Sequence, residues 1–129
     1  MLYDNLQNKR LNILLVENDL ELRLVFSEIL RTFGHDVADA ADGKYALDIY
    51  HASQNTFDLV ISDITMPVIS GIELGTRISN DDPDLPIIYV TGLNNGDNIE
   101  QASKIATAIY AKPVDLEAFI PSLQQYKRI

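Results

Sequence analysis

The chain contains no cysteine and only two histidines among its 129 residues. The absence of cysteine excludes disulfide scaffolds, thiolate metal sites and cysteine nucleophiles together. His35 follows the end of a predicted helix and His51 lies inside another, so we expect ordinary surface or boundary residues and assign them no functional role. Any chemistry should therefore depend on other side chains.

Positive charge and long hydrophobic runs are also scarce. Ten Lys and Arg residues are outnumbered by nineteen Asp and Glu, which gives a formal net charge of −9 and a pI near 4.4. Without a basic block, the domain is not expected to bind a nucleic acid or an acidic membrane surface. No apolar stretch approaches the roughly 20 residues of a membrane span, and residues 1–10 lack a hydrophobic signal core. We therefore expect a cytoplasmic protein.

A hydrophobic content of 47% is sufficient for the core of one ordinary domain. We expect a polar N-terminal tail over residues 1–9 and a single domain over residues 10–127, with no internal repeat or linker. Apolar runs typical of buried strands alternate with helical stretches in this domain. The predicted strands are residues 11–16, 36–40, 57–62, 85–90 and 108–111, and the second is weakly hydrophobic, as expected for an edge strand.

The predicted helices have recognisable ends. They cover residues 19–33, a stretch after Asp42-Gly43, a stretch from the cap Ser70 to about 80–83, a stretch from the cap Asp97 to about 106, and a last helix after the cap Asp115. In the first helix we expect the stripe of Leu22, Val25 or Phe26, Ile29 and Phe33 to face the core. We expect Pro121 to kink or restart the last helix. A loop with Asp81, Asp82 and Asp84 should simply be solvated.

The alternation predicts an α/β fold with a doubly wound five-stranded parallel sheet. Parallel strands need right-handed crossover connections, which place helices on both faces. Ligands of such sheets bind at the carboxyl ends of the strands. Four predicted strands end there in polar residues, namely Glu17-Asn18-Asp19, Asp63, Thr91-Gly92 and Lys112-Pro113. We expect these four ends to converge at one edge of the sheet.

These side chains indicate phosphoryl chemistry with a hard metal ion. Glu17, Asp19 and Asp63 carry oxygen ligands, which favour Mg²⁺ over zinc, although Asp19 fits a helix cap better than a ligand. A carboxylate beside Mg²⁺ can attack a phosphoryl group when cations offset the negative charge on its oxygens, and Lys112 could help to do so. The hydroxyl of Thr91 can donate a hydrogen bond to a phosphoryl oxygen.

The four motifs, together with Met66-Pro67 and Gly71, resemble in order and spacing the receiver domain of two-component response regulators, from about Arg10 to Lys127. Each motif alone is weak, but four at the ends of four strands make the resemblance specific. It implies the flavodoxin-like receiver fold with strand order 2-1-3-4-5. It also implies a signalling domain of phosphorelay systems that is not an enzyme, beyond catalysing its own phosphorylation and dephosphorylation.

The resemblance further implies a role for each residue. Asp63 is the phosphoacceptor, and Thr91 and Lys112 hold the phosphoryl group. The Mg²⁺ ligands are Glu17, Asn18, Asp63 and the backbone carbonyl of Thr65. The phosphoryl donor is a histidine kinase or a histidine phosphotransfer protein, and the output face, which an output domain or target protein would contact, includes the last two strand-helix units.

Two positions depart from the family pattern. Asn18 stands where receivers usually have an aspartate bound directly to the metal, so we expect weaker Mg²⁺ binding. Ile109 stands where an aromatic residue commonly couples to the threonine, and Tyr110 should face the opposite side of the strand. Tyr89 or Tyr110 could replace that aromatic residue. The sequence is compatible with either isomer of the Lys112-Pro113 bond.

Three alternatives to a phosphorylated receiver can be compared with the sequence. A degenerate receiver, in which Asn18 prevents useful metal binding, would be an interaction module that does not need phosphorylation. An aspartate-nucleophile phosphohydrolase needs a second acid two residues after the nucleophile, where this chain has Thr65. Dinucleotide binding is excluded because no G-x-G-x-x-G motif follows the first strand.

Overall fold

The computed structural model describes residues 9–53, 56–92 and 96–128. Within these residues, five strands alternate with five α-helices, and a 3-10 helix follows at Leu123–Tyr126. The strands are β1 (Asn12–Val16), β2 (Asp36–Ala40), β3 (Leu59–Ser62), β4 (Ile87–Thr91) and β5 (Ala108–Ala111). The helices are α1 (Leu20–Thr32), α2 (Gly43–Ser53), α3 (Gly71–Asp81), α4 (Gly96–Ser103) and α5 (Leu116–Ser122). None of the helices in these ranges is long and apolar enough to span a membrane.

The strands form one parallel sheet in the order β2-β1-β3-β4-β5. The predicted fold class and strand order are confirmed, and β2 is an edge strand as predicted. Val16 pairs with both Ala40 and Ser62, so β1, β2 and β3 end in register, and Thr91 pairs with Ala111, so β4 and β5 also end together. The residues that follow these ends therefore lie along one edge of the sheet.

Hydrophobic residues pack on both faces of the sheet. One cluster joins alternate strand residues such as Leu14, Val60 and Tyr89 to α2, α3 and α4. The second joins the intervening residues, such as Leu15 and Ile61, to α1 and α5. This alternation follows from the strand period of two, and it confirms that helices cover both faces. Ile109 and Tyr110 pack into different clusters, as predicted.

The prediction for the buried face of α1 was right only in part: Phe26 and Ile29 pack against the core, but other residues of the predicted stripe do not. Leu22, Val25 and Phe33 are 46%, 54% and 54% exposed, whereas the buried residues of this helix are Ser27 and Leu30. The buried face includes a serine because the Ser27 hydroxyl donates to the Arg23 carbonyl at 2.8 Å, so its polar group is satisfied inside the helix. The spacing of apolar residues identified the helix and part of its packed face, but not the burial of Ser27 or the exposure of Leu22 and Phe33.

Several observed boundaries of strands and helices differ from the predicted ones by two or three residues. The third and fourth strands begin later than predicted, at Leu59 and Ile87, and α4 ends at Ser103 rather than near residue 106. The predicted caps Ser70 and Asp115 are confirmed, since each side chain accepts a backbone N–H of its helix. The chain restarts as a 3-10 helix after Pro121, as predicted. The side chain of the remaining predicted cap, Asp97, lies outside the described residues.

Two polar regions make more specific contacts than the sequence predicted. His35 is buried, and its Nδ1 accepts the backbone N–H of Leu11 at 3.1 Å. Asp81 accepts the Tyr50 hydroxyl at 2.7 Å, and Asp82 accepts two hydrogen bonds of 3.0 Å from one guanidinium nitrogen of Arg128. The acidic residues at the end of α3 therefore hold distant parts of the chain and are not a merely solvated loop.

Candidate functional site

The carboxyl ends of β1, β3 and β5 bring Glu17, Asp63 and Lys112 into direct contact. The ammonium nitrogen Nζ of Lys112 lies 2.8 Å from Glu17 Oε1 and 2.9 Å from Asp63 Oδ2. The Glu17 and Asp63 side chains are only 9% and 11% exposed, and that of Lys112 is 26% exposed. Two carboxylates and one cation thus share a pocket with little access to water.

Backbone hydrogen bonds hold these residues just beyond the strand ends. The N–H of Glu17 donates to the Ala40 carbonyl at 3.1 Å, and the N–H of Asp63 donates to the Val16 carbonyl at 3.0 Å. The N–H of Lys112 donates to the Thr91 carbonyl at 2.8 Å. The pattern of the sheet thus continues by one residue at each position. The Lys112-Pro113 peptide bond is cis.

Each carboxylate is also oriented by a backbone amide. Asp63 Oδ1 accepts the N–H of Ile64 at 2.8 Å, and Glu17 Oε2 accepts the N–H of Asp19 at 3.0 Å. The other oxygen of each carboxylate faces Lys112. A charge-assisted hydrogen bond on one side and an amide on the other leave each carboxylate little rotational freedom.

Lys112 remains a cation in this pocket. Burial is the largest single effect on its pKa and lowers it, but the hydrogen bonds and charges of Glu17 and Asp63 together raise the pKa above its ordinary value. An ammonium with a raised pKa is protonated at neutral pH. The pocket therefore carries two negative charges and one positive charge.

Gly71, at the start of α3, packs directly on the backbone of Asp63. A Cβ atom on Gly71 would lie 1.9 Å from the Asp63 carbonyl oxygen, so no larger residue fits without moving the backbone. The N–H of Gly71 also donates to the Ile64 carbonyl at 2.7 Å. Close approach to the Asp63 segment explains why the sequence has glycine here.

The remaining residues of the predicted site lie at the same edge. Asp19 Oδ1 accepts the N–H of Leu22 at 3.0 Å, which confirms that Asp19 caps α1. Asn18 is exposed in the bend between Glu17 and the helix, and Thr65 is exposed two residues after Asp63. Thr91 is buried at the end of β4.

The donor chemistry of the pocket suits a hard cation held by few protein ligands. No group of three or more His, Cys, Asp or Glu side chains that could hold a metal occurs in the described ranges. Glu17 Oε1 and Asp63 Oδ2 nevertheless face the same cation, the Lys112 ammonium, at 2.8 and 2.9 Å. Mg²⁺ prefers oxygen ligands and keeps several waters, so it does not require a complete protein cage.

Arg23 was not recognised from the sequence. Its Nη1 donates to the Glu17 carbonyl at 2.9 Å, and its Nε lies 3.3 Å from Asp39 Oδ2. Arg23 thus connects Glu17, in the segment after β1, to Asp39 in β2, and it helps to hold the backbone of Glu17 in place. The only signal in the sequence is one cation within the apolar stripe of α1, one turn after the cap Asp19.

A groove that is mainly apolar leads from the acidic pocket along α1. Its volume is about 380 Å³, and it is lined by Glu17, Asp63 and Lys112 at one end. The apolar lining comes from the strands, α1 and the segment before α5, and includes Leu22, Val25, Phe26, Pro113, Val114 and Leu116. The exposed apolar residues of α1, which the sequence placed in the core, are therefore continuous with the pocket. We call this feature the α1 groove.

Comparison with known proteins adds a decisive observation. The family model described as the response regulator receiver domain matches residues 13–124 of the chain. The chain belongs to this family. Receiver domains of two-component response regulators are signalling domains, and they generally bind Mg²⁺ in their acidic pocket.

This receiver domain is similar to proteins of very different length. It is 29% identical over 115 residues to sporulation initiation phosphotransferase F of Bacillus subtilis (strain 168). The alignment covers 88% of the chain and 91% of that protein. It is 33% identical over 112 residues to the two-component response regulator-like protein PRR37 of Oryza sativa subsp. indica, covering 84% of the chain but 15% of that protein. The chain thus spans nearly all of one relative and a small part of the other.

A solved structure supports the same relationship. The response regulator TrrA of Thermotoga maritima, crystallised in complex with Mg(2+)-BeF, matches with a TM-score of 0.79 and 26% identity. The match covers 90% of the receiver domain and 98% of that chain.

Proposed function

We propose that this receiver domain accepts a phosphoryl group on Asp63 and thereby switches its output face. The observation that supports the proposal most strongly is the contact of one ammonium, Lys112 Nζ, with both Asp63 Oδ2 and Glu17 Oε1 at 2.9 and 2.8 Å. A carboxylate can act as a phosphoryl acceptor only where cations offset the charge that collects on the phosphoryl oxygens.

In the reaction, the Asp63 carboxylate attacks phosphorus of a phosphohistidine. A P–O bond forms to Asp63, the P–N bond breaks, and the electron pair of that bond leaves with the imidazole. The Ile64 N–H, 2.8 Å from Oδ1, fixes the direction of the carboxylate. Lys112 moves its hydrogen bonds to the transferred group, and the Thr91 hydroxyl donates to another phosphoryl oxygen.

Mg²⁺, when bound, neutralises charge on the phosphoryl oxygens. Glu17, Asn18, Asp63 and the Thr65 backbone carbonyl would hold it. Asn18 contributes an amide oxygen rather than a carboxylate, so the site has one negative charge fewer than a three-acid pocket. The same residue favours a second candidate function, a degenerate receiver that acts as an interaction module without phosphorylation.

The donor would be a histidine kinase or a histidine phosphotransfer protein in the cytoplasm. We assign its docking to the α1 groove, because a phosphohistidine that reaches Asp63 must pass over the surface next to that carboxylate. The groove is lined by both Asp63 and α1 residues that are about half exposed, such as Leu22 and Val25. The units β4-α4 and β5-α5 would carry the signal to an output domain or a target protein.

A phosphorylation assay distinguishes the two candidates. Incubation with Mg²⁺ and acetyl phosphate should add one phosphoryl group to the intact protein, measured by mass spectrometry. The added mass should disappear in Asp63→Asn and persist in the control Asp48→Asn, which changes an aspartate that is 67% exposed on α2. A wild-type chain that gains no mass at high Mg²⁺ concentration would instead support the degenerate receiver.

A further inference from the structure

A buried tyrosine reaches the segment that carries Asp63. Tyr89 lies in β4, two residues before Thr91 and on the same face of the strand, and its side chain is fully buried. Its hydroxyl donates to the carbonyl of Gly71 at 2.6 Å. Burial raises the pKa of the Tyr89 phenol, so the hydroxyl keeps its proton and stays a donor at neutral pH.

Gly71 connects this hydroxyl to the site. The Gly71 N–H donates to the Ile64 carbonyl at 2.7 Å, and the Ile64 N–H donates to Asp63 Oδ1 at 2.8 Å. Three consecutive hydrogen bonds thus run from the Tyr89 phenol to the Asp63 carboxylate. Gly71 also packs so closely on the Asp63 carbonyl that there is no room for a side chain between them.

Gly75, one turn further along α3, provides the space for the hydroxyl. A Cβ atom on Gly75 would lie 2.1 Å from the Tyr89 hydroxyl oxygen and 3.3 Å from its Cζ. A side chain at this position would therefore clash severely with the hydroxyl and make only tight contacts, at 3.3 Å, with the ring and with Ile105 Cγ2. The Tyr89 hydroxyl therefore occupies the space that a side chain at residue 75 would need.

We propose that Tyr89 is a positioning residue, which holds the Asp63 segment in the geometry needed for phosphoryl transfer through its hydrogen bond to Gly71. The inference rests on the proposed function of Asp63. Tyr89 packs in the same buried cluster as Ile109, which stands where receivers commonly carry an aromatic residue. The hydroxyl at residue 89 supplies a link between β4 and the Asp63 segment that the isoleucine cannot make.

The chain offers a matched control in Tyr50. Its hydroxyl donates to Asp81 Oδ2 at 2.7 Å, and Asp81 is the last residue of α3, whereas Gly71 is the first. Tyr50→Phe and Tyr89→Phe therefore delete the same atom from the same residue type at opposite ends of one helix. General loss of stability should affect both variants, but only one of them alters the end next to Asp63.

Two readouts are compared in these variants. Phosphorylation by acetyl phosphate at saturating Mg²⁺ should be on the order of tenfold slower in Tyr89→Phe, because small misplacements of a reacting group cost large factors in rate. Hydrogen exchange should be faster at the Ile64 and Gly71 amides in the same variant. Tyr50→Phe should match the wild type within about twofold in both readouts. Equal phosphorylation rates in the two variants, or unchanged exchange in Tyr89→Phe, would overturn the inference.

The exchange readout does not depend on phosphorylation, so the two proposals can fail separately. A wild-type chain that is not phosphorylated contradicts the proposed function, and the exchange comparison then decides alone whether Tyr89 holds the segment. A wild-type chain that is phosphorylated at the same rate as Tyr89→Phe leaves the proposed function intact and removes the role of Tyr89.

A steric test examines the same contact from the other side. Gly75→Ala should lower the midpoint of denaturant unfolding and slow phosphorylation, because the new methyl group displaces the Tyr89 hydroxyl. In Tyr89→Phe the added alanine should cost less, because the 2.1 Å clash with the hydroxyl is absent and only the 3.3 Å contacts with the ring and Ile105 remain. Additive effects of the two substitutions would show that the hydroxyl does not occupy this space, and would overturn the inference.

Discussion

Under the proposed function, Asn18 would determine how much negative charge the pocket offers to a metal ion. Glu17 and Asp63 carry two negative charges, and Lys112 offsets one of them through its two contacts of 2.8 and 2.9 Å. A divalent cation that binds there would therefore lie in a pocket with a net charge of −1. Asn18 is exposed immediately after Glu17, so an acid could be placed there without burying a new charge.

Asn18→Asp should strengthen Mg²⁺ binding by about tenfold, because an anionic ligand replaces a neutral one. Isothermal titration calorimetry of the two proteins checks this. Asp19→Asn is the control: it keeps a residue that can cap α1, changes the charge of the neighbouring residue, and should alter the dissociation constant by less than about threefold. Equal affinities of Asn18→Asp and the wild type would show that residue 18 does not contact the ion.

We expect His35 to make folding sensitive to mild acid. Burial lowers its pKa below the ordinary value of 6.5, although the neighbouring Asp36 carboxylate acts in the opposite direction. Its Nδ1 accepts the Leu11 N–H, and Nε2 has no hydrogen-bond partner in the described part of the chain. Protonation would place two donors face to face at Nδ1. The folded state therefore favours neutral histidine more than the unfolded state does.

The free energy of unfolding should consequently fall as the pH drops from about 7.5 to about 5.5, because the unfolded chain binds a proton first. The stability from neutral His35 is fully present above the unfolded pKa and is lost below it, at no more than about 1.4 kcal/mol per pH unit. Urea denaturation at several pH values measures the slope. His35→Gln, whose amide oxygen can accept from Leu11, should flatten it, and His51→Gln on the exposed side of α2 should not.

At the scale of secondary structure, α1 is unusual because it exposes several large apolar side chains to solvent. The helix places Ser27 and Leu30 against the sheet and leaves Leu20, Leu22, Leu24 and Val25 between 46% and 57% exposed. Exposed apolar residues that adjoin a polar site are typical of a protein-binding surface. Under the proposed docking, α1 would bind the phosphoryl donor in addition to packing on the sheet.

Val25→Ser should slow phosphoryl transfer from a histidine phosphotransfer protein that phosphorylates the wild type by about tenfold, because the substitution removes apolar contact area next to the reacting groups. Leu24→Ser is the control, since Leu24 is exposed to the same extent on α1 but does not line the groove. Acetyl phosphate should phosphorylate both variants at the wild-type rate. Equal loss of protein-dependent transfer in both variants would contradict docking in the groove.

In the molecule as a whole, Asp58 holds three separated segments together at the edge of the sheet opposite the acidic pocket. Its Oδ2 accepts the N–H of Asn12 at 2.7 Å, and its Oδ1 accepts the N–H of Arg128 at 3.0 Å. The side chain is only 6% exposed, and Lys127 lies 3.4 Å away. Asp58 thereby connects the start of β1, the approach to β3 and the C-terminal segment.

Asp58→Ala should lower the free energy of unfolding by about 3 kcal/mol, because it leaves two backbone donors without an acceptor in a buried region. Denaturant unfolding measures the change. Asp48→Ala removes an exposed carboxylate whose partner Lys44 lies 3.8 Å away, and should change stability by less than about 0.5 kcal/mol. Similar losses in the two variants would mean that Asp58 acts only through surface charge.

Most of the architecture could be predicted from the amino-acid sequence. The apolar runs and the caps Asp19, Ser70 and Asp115 act on neighbours a few positions away, so they are readable without coordinates. The alternation of strand and helix then left few possible topologies. Glu17, Asp63 and Lys112 were identified as site residues because each directly follows a strand that ends at the same edge.

Local patterns in the sequence were enough to specify the class of fold, the order of its elements and the residues at the strand ends, since these depend on periodicity and spacing. Packing between distant segments determined the rest: the exposed stripe of α1, the burial of His35, and the links from Tyr89 to Gly71 and from Asp58 to Arg128. Each of these requires two residues far apart in the chain to meet on particular faces. No periodicity within one segment contains that information, because the partner belongs to another segment.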